Sequence, residues 1–463
     1  MDRRDFLRCT GIAAVGCGPL WAAPPKRPNI LLIITDQQSA TMMSCTGNPW
    51  LKTPAMDSLM TRGMRFEKAY AANPVCVPSR FSLMTGHYPS AVQMRENVRS
   101  DGTDRYLSQT MGHVFRAAGY ETVYGGKVHL PGAMRRITDC GFVNLIGDER
   151  DKLADACAAY LRQPHDQPFL LVASFINPHD ICYQAIYAHQ APTRAHVELD
   201  ELRQAEKMPE GIAREEFFAK HCPPVPDNFE PTRPEPVGAR RLLEIRPFKM
   251  HVREHWTAED WRLHRWAYAR LTERVDAQIA TVLAALREAN MEDETLVVFT
   301  SDHGDMDAAH RMEHKSQTYE EAARIPLMVQ YPPLTKAGHV DREHLVSNGL
   351  DLLPTLCDMA NIQPPADLPG KSFKPLLDGS RKTPWRKYLM IETELSRAVT
   401  DGRYKYTLYD AVDHGELLCD LANDPGEMTN LAGDADHADA LHRMRRALRE
   451  ETKRHGVNIE IPV

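Results

Sequence analysis

The run Asn29-Ile30-Leu31-Leu32-Ile33-Ile34, closed by Thr35-Asp36-Gln37, constrains the fold more than any other feature of the chain. A strand with one wet face alternates polar and apolar residues; an unbroken apolar run needs cover on both faces. Similar runs recur at residues 168–174, 295–300 and 326–329. Between them, Leu271, Val275, Ile279, Val282 and Leu286 step by four, four, three and four, placing one apolar stripe on a long helix. Strands alternating with helices predict an α/β fold: a large, mostly parallel sheet sandwiched by helices. Ligands of such sheets gather at the carboxyl ends of the strands. Asp36 and Asp302 both stand just past such an end.

At 463 residues the chain has room for one large domain or two unequal ones. After about residue 380 the texture changes. Residues 397–400 and 404–408 flank Asp401-Gly402, a strong hairpin signal, and Leu441, Met444 and Leu448 mark a last amphipathic helix. The expected organisation is a leader over 1–25, a catalytic domain over 26–380 and a smaller C-terminal antiparallel sheet domain with a helix over 381–463. Residues 190–260, rich in Pro, Arg, Glu and His with little periodicity, are expected to form a long surface insertion.

Charge and cysteine usage narrow the function. Lys+Arg total 56 against 63 Asp+Glu, a net charge of −7, which lacks the basic footprint that nucleic-acid binding needs. Arg3-Arg4-Asp5-Phe6-Leu7-Arg8, the apolar stretch 9–23 and the small residues Ala22-Ala23 read as a twin-arginine export signal, too short to span a bilayer. The expected location is periplasmic or extracellular, with lipid attachment at Cys17 as the weaker alternative. No other stretch approaches 18 apolar residues, so no stable membrane span is expected. Of ten cysteines, Cys9 and Cys17 fall in the leader, and none of the rest forms a CxxC pair of the kind zinc ribbons use.

Cys76-Val77-Pro78-Ser79-Arg80 reads as a loop entering a helix, with Pro78 preset for the first turn. Cys76 then stands where free backbone N–H groups and the helix dipole favour an anion. Taken alone, the segment is equally a structural thiol beside an arginine. The company it keeps decides otherwise. With Leu83-Met84-Thr85-Gly86 it resembles the C-x-P-S-R…L-x-T-G signature of the type I, formylglycine-dependent sulfatases. Residues 119–129, from Gly119-Tyr120-Glu121 to Gly125-Gly126-Lys127-Val128-His129, are similar to the second signature of that family. Ser301-Asp302-His303-Gly304-Asp305, then Lys315, Tyr319-Glu320-Glu321 and Arg324-Ile325-Pro326, resemble its late metal and sulfate segment. Glu416-Leu417-Leu418-Cys419-Asp420-Leu421 and Asp424-Pro425-Gly426-Glu427 resemble its C-terminal hairpin.

The resemblance implies an alkaline-phosphatase-like fold and conversion of Cys76 to formylglycine by a maturation enzyme. One hydroxyl of the hydrated aldehyde attacks sulfur and displaces the alcohol. The other collapses the adduct and expels sulfate, a step that a plain thiol has no second oxygen to perform. It further implies a calcium ion held by Asp36, Gln37, the modified Cys76, Asp302 and His303. Hard oxygen donors suit such a cation. Gln37 departs from the commoner pattern, which has a second aspartate there, so the site carries one negative charge fewer. Lys127, His129 and Lys315 match positions around the sulfate and the formylglycine, with Arg80 beside them. His179, in Asn177-Pro178-His179-Asp180, matches the leaving-group histidine; Asp180 either orients it or contacts substrate.

The resulting expectation is a sulfuric ester hydrolase acting on a sulfated small molecule or glycan. Two alternatives stand beside it: a phosphonate monoester or phosphodiester hydrolase of the same superfamily, and a non-catalytic binder of sulfated glycans. Arg233, Arg240, Arg241, Arg246, Lys249 and Arg253 form a basic cluster that suggests contact with a polyanionic glycan, against the simpler reading of a solvated linker.

Overall fold

The computed structural model describes residues 27–462 apart from 98–99, 101, 191–198, 380–383, 411–414 and 458. The export signal and Cys17 lie outside these residues. No helix among the described residues is long and apolar enough to cross a membrane.

The strands in chain order are β1 Asn29–Asp36, β2 Met64–Phe66, β3 Ala69–Tyr70, β4 Glu121–Gly126, β5 Val143–Ile146, β6 Phe169–Pro178 and β7 Thr295–Ser301. They continue with β8 Leu327–Gln330, β9 His339–Asp341, β10 Val346–Ser347, β11 Leu389–Glu392, β12 Ser396–Thr400, β13 Tyr404–Tyr409 and β14 Glu416–Asp420. Eight of them form one sheet in the order β5-β4-β6-β1-β7-β8-β2-β9. All pairs in it are parallel except those of β8, which runs against both β7 and β2. The apolar run of β1 lies at the centre, hydrogen-bonded to β6 on one side and β7 on the other.

Its two faces go to two cores, as an unbroken run requires. Ile30, Leu32 and Ile34 pack into one cluster, and Leu31 and Ile33 into the other. The second cluster also takes Val275, Ile279, Val282 and Leu286 from the helix Ala258–Glu288, whose start is fixed by a reciprocal cap between Thr257 and Asp260. The hairpin predicted around Asp401-Gly402 forms as β12–β13, inside a separate four-stranded antiparallel sheet, β11-β12-β13-β14. The helix Ala438–Arg454 lays Leu441, Met444 and Leu448 onto that sheet.

The expected surface insertion over 190–260 is corrected by the structure. It contains the helices Leu199–Ala205, Val237–Glu244 and Pro247–His255, and Phe217, Leu242, Leu243 and Val252 are buried in it. These helices are only seven to nine residues long and each carries one or two apolar anchors, too few to register as a period. Its basic cluster is mostly neutralised. Arg246 reaches Glu394 at 3.0 Å and Glu96 at 3.2 Å, Arg253 reaches Glu235 at 2.8 Å, and Arg240 and Arg241 each meet Glu244 at 3.3 Å. Lys249 is buried and donates to the carbonyl of Lys315 at 2.7 Å. Arg240 and Arg241 share Glu244 and stay exposed, so the segment is less basic at its surface than its sequence suggests.

The carboxyl edge of the sheet is where the backbone fits most tightly. Gly126, the last residue of β4, has φ +92°, and a Cβ there would meet the Ser174 carbonyl oxygen at 2.0 Å. Gly119, at φ +84°, faces open space. Gly126→Ala is expected to lower the unfolding free energy by about 3 kcal/mol and Gly119→Ala by only about 1 kcal/mol, the strain of positive φ alone. Denaturant unfolding of both variants checks this; equal losses would show that the edge yields freely.

Candidate active site

Parallel strands bring their carboxyl ends to one edge, and the register aligns the residues just past those ends. Ile34 lies opposite Ser174, Thr35 opposite Ser301 and Gly126 opposite Ser174. Asp36 ends β1, while Asp302, Lys127 and His179 are the residues after β7, β4 and β6. The helix Cys76–Thr85 starts over this edge with Cys76 in its first turn, all ten of its residues buried.

Arg80 holds the centre together. Its Nε donates to Asp302 Oδ2 and one terminal nitrogen to Asp36 Oδ2, each at 2.9 Å. The other terminal nitrogen donates to the Lys127 carbonyl and to Ser174 Oγ, both at 2.9 Å. The guanidinium thus spaces two carboxylates that would otherwise repel, and ties both to the Lys127 loop. Lys127 Nζ reaches Asp36 Oδ2 at 2.6 Å.

Cys76 lies among these groups and is fully buried. Its Sγ accepts from Lys315 Nζ at 2.9 Å and lies 3.1 Å from His303 Nε2. His303 Nδ1 donates to the Gly304 carbonyl at 2.8 Å, which turns Nε2 towards the thiol. Asp36, Cys76, Asp302 and His303 each offer a ligand atom, all within 4.8 Å of one another. Gln37 adds a carbonyl: its Oε1 accepts from Lys315 Nζ at 2.8 Å while its Nε2 donates to Asp305 Oδ2 at 2.6 Å. Two carboxylates and an amide oxygen fit a hard divalent cation, while the His303 nitrogen is a softer donor that transition metals take more readily.

The charges explain the protonation states. Burial pushes the Asp36 carboxyl up, but Lys127, His179, Arg80 and Lys315 together hold it well below the usual carboxylate range. Asp302, without that lysine, is pushed up to about 6 by burial and by Asp36. Burial and Asp36 raise the Cys76 thiol, yet Lys315, Lys127 and His303 outweigh them and hold it well below its ordinary value. Burial, with Lys127 and Lys315, pulls His179 down to about 4.

The structure does not place every sequence-predicted residue in this cluster. His129 is exposed, at φ +43°, and carries no hydrogen bond among the described residues. Asp180 faces away from the thiol: Arg150 grips both its oxygens at 2.9 Å, and its own N–H donates to Asn177 Oδ1. It braces the His179 turn. His179 sits beside the Cys182 thiol, 3.7 Å from Nε2, and against the Tyr183 ring. Arg150, Ser174 and Cys182 carried no sequence signal, since each is meaningful only through a partner distant in the chain. Asp305 did carry one, its place two residues beyond His303.

Such a cluster, at the carboxyl edge of a doubly covered sheet, defines a site for an anionic ester beside a hard cation. The comparisons narrow this class. Residues 28–362 match the sulfatase family and residues 308–454 the N-sulphoglucosamine sulphohydrolase C-terminal family. A Delta 4,5-hexuronate-2-O-sulfatase of Bacteroides thetaiotaomicron is 30% identical over 464 residues, covering 95% of this chain and 91% of its own. A solved 2-O GAG sulfatase superposes with TM-score 0.79 at 28% identity, covering 94% of this chain and 95% of that one. The phosphonate monoester hydrolase of Agrobacterium radiobacter shares the fold at TM-score 0.74, 23% identity, covering 93% of this chain and 96% of that one. The chain belongs to the sulfatase family, with an alkaline-phosphatase-like fold, and is a sulfuric ester hydrolase.

Removing Arg80 leaves two buried carboxylates facing each other with one counter-ion fewer. Arg80→Met is expected to cost about 3–5 kcal/mol of unfolding free energy in the presence of a chelator. Denaturant unfolding measures it, and a loss under about 1 kcal/mol would show that Arg80 is not what spaces the pair.

Proposed function

We propose that this sulfatase removes sulfate from a carbohydrate of the glycosaminoglycan kind, with Cys76 matured to formylglycine and calcium held by Asp36, Gln37, Asp302, His303 and the residue at 76. The observation that carries the reading is the convergence of Lys315 Nζ and His303 Nε2 on one buried thiol, beside two carboxylates bridged by Arg80. The named relative that acts on 2-O-sulfated hexuronate supports the sugar class. On this reading residues 26–380 form the catalytic domain and 381–463 a C-terminal subdomain, and the twin-arginine leader exports the enzyme after maturation.

When present, the calcium supplies charge facing the ester oxygens and the formylglycine supplies the attacking hydroxyl. The chain's own residues do the rest. Lys315 and Lys127, both buried at position 76, attract and orient the sulfate. Arg80 keeps Asp36 and Asp302 spaced as acceptors rather than letting them share a proton. His303 is held by its bond to the Gly304 carbonyl with Nε2 aimed at position 76. His179 delivers a proton to the leaving oxygen; burial, with Lys127 and Lys315, holds its imidazole neutral in the free site, and the negative charge of bound sulfate offsets the two lysines. His129, exposed two residues beyond Lys127, is left free to meet the substrate.

Cys76→Ala is expected to abolish turnover while leaving the fold intact. Matched nitrophenyl sulfate and aryl phosphodiester assays decide against the phosphonate-hydrolase reading if only the sulfate is turned over. Sulfate-ester turnover itself removes the non-catalytic binder. General acid catalysis is worth roughly 10²–10⁴, so His179→Ala should lose about that much on a 2-O-sulfated disaccharide and about tenfold or less on nitrophenyl sulfate, whose leaving group needs no proton. Equal losses on the two substrates would take the acid role from His179.

A further inference from the structure

Asp305 is a buried carboxylate, 0% exposed, with no lysine or arginine within ion-pair distance among the described residues. The one cationic candidate, His264 Nε2, is 3.9 Å from Oδ1. A buried carboxyl group without partners is costly, so its oxygens must be met by donors close by. Its backbone is fixed from both ends: Ser39 Oγ donates to its carbonyl at 2.8 Å and accepts from its N–H at 3.1 Å. One carboxylate oxygen accepts from the Asp307 N–H at 2.7 Å. The other accepts from Gln37 Nε2 at 2.6 Å.

A carboxylate only accepts hydrogen bonds, so it selects which end of the Gln37 amide faces it. Nε2 turns to Asp305, and Oε1 must turn the opposite way, towards Lys315 Nζ and Cys76. The Gln37 backbone is pinned as well. Its N–H donates to Asp302 Oδ1 at 3.1 Å, its carbonyl accepts from Tyr268 OH at 2.7 Å, and its φ is +67°. The backbone that carries the side chain is thereby fixed.

We propose that Asp305 is a positioning residue for the metal site: by accepting from Gln37 Nε2 it orients Gln37 so that Oε1 is a ligand. The proposal rests on the metal reading of the preceding subsection and adds a residue outside that ligand set. Partners of this kind typically govern metal affinity by 10–100-fold.

Calcium titration of the chelator-stripped protein, followed by isothermal calorimetry, tests it without reference to turnover. Asp305→Ala is expected to weaken calcium binding about 10–100-fold. Asp305→Asn keeps the shape, and serves if the alanine variant does not fold; it is expected to weaken binding about tenfold. Gln37→Glu puts two carboxylates where the 2.6 Å contact now is, and is expected to bind calcium more weakly than wild type. The double variant Gln37→Glu/Asp305→Asn restores a donor facing an acceptor and should recover affinity to within about threefold of wild type. Wild-type affinity in Asp305→Ala or Asp305→Asn would overturn the proposal alone, as would a double variant no tighter than the weaker single one. Failure of wild type itself to bind calcium would overturn the metal reading and this proposal together.

Discussion

The fork of Arg80 is the interaction on which the rest of the site depends. Two carboxylates at the ends of adjacent strands are a poor arrangement in a buried place unless a cation lies between them, and a guanidinium fits because its fixed fork spans two acceptors at once. That fork also takes the Lys127 carbonyl and Ser174 Oγ, so the end of β1, Ser174 within β6 and the residues following β4 and β7 are locked into one unit. Placing Arg80 one turn beyond Cys76 then fixes the helix that carries the thiol. In this sense the helix is docked by its charge as much as by its apolar side chains.

A second set of contacts holds the His179 turn. Asn177 Nδ2 donates to Glu201 at 2.7 Å, Arg274 meets Glu201 at 3.2 Å, and Arg150 holds Asp180. Glu201 comes from the segment 190–260 and Arg274 from the long helix, so a region whose sequence reads as a surface insertion buttresses the turn that carries the candidate acid. The C-terminal sheet does similar work on the other side. Lys405, buried in β13, bridges Glu320 at 2.9 Å and Glu427 at 2.8 Å, and Glu392 N–H donates to the Ala72 carbonyl just ahead of Cys76.

The parts of this molecule visible in the sequence are those written in local patterns. The β1 run, the stripe from Leu271 to Leu286, the Asp401-Gly402 hairpin and the residues after each strand all lie within a few positions of their signal, and each falls where expected. The hidden parts depend on pairing across the chain. The antiparallel course of β8 leaves no mark on a four-residue apolar run. The charges of Arg246 and Arg253 look free in the sequence because Glu394 and Glu235 are named only by folding. Gln37 stands out as a departure from pattern, and its pairing with Asp305 is visible only as a 2.6 Å contact spanning 268 positions of sequence.

The burial of Cys76 has a mechanical side. The thiol is fully enclosed, Ala72 is clasped by β11 and Arg80 is engaged on four acceptors, so whatever meets residue 76 in the native chain needs the surrounding side chains to move first. The stiffness of that shell, and not the thiol alone, then sets how readily position 76 is met.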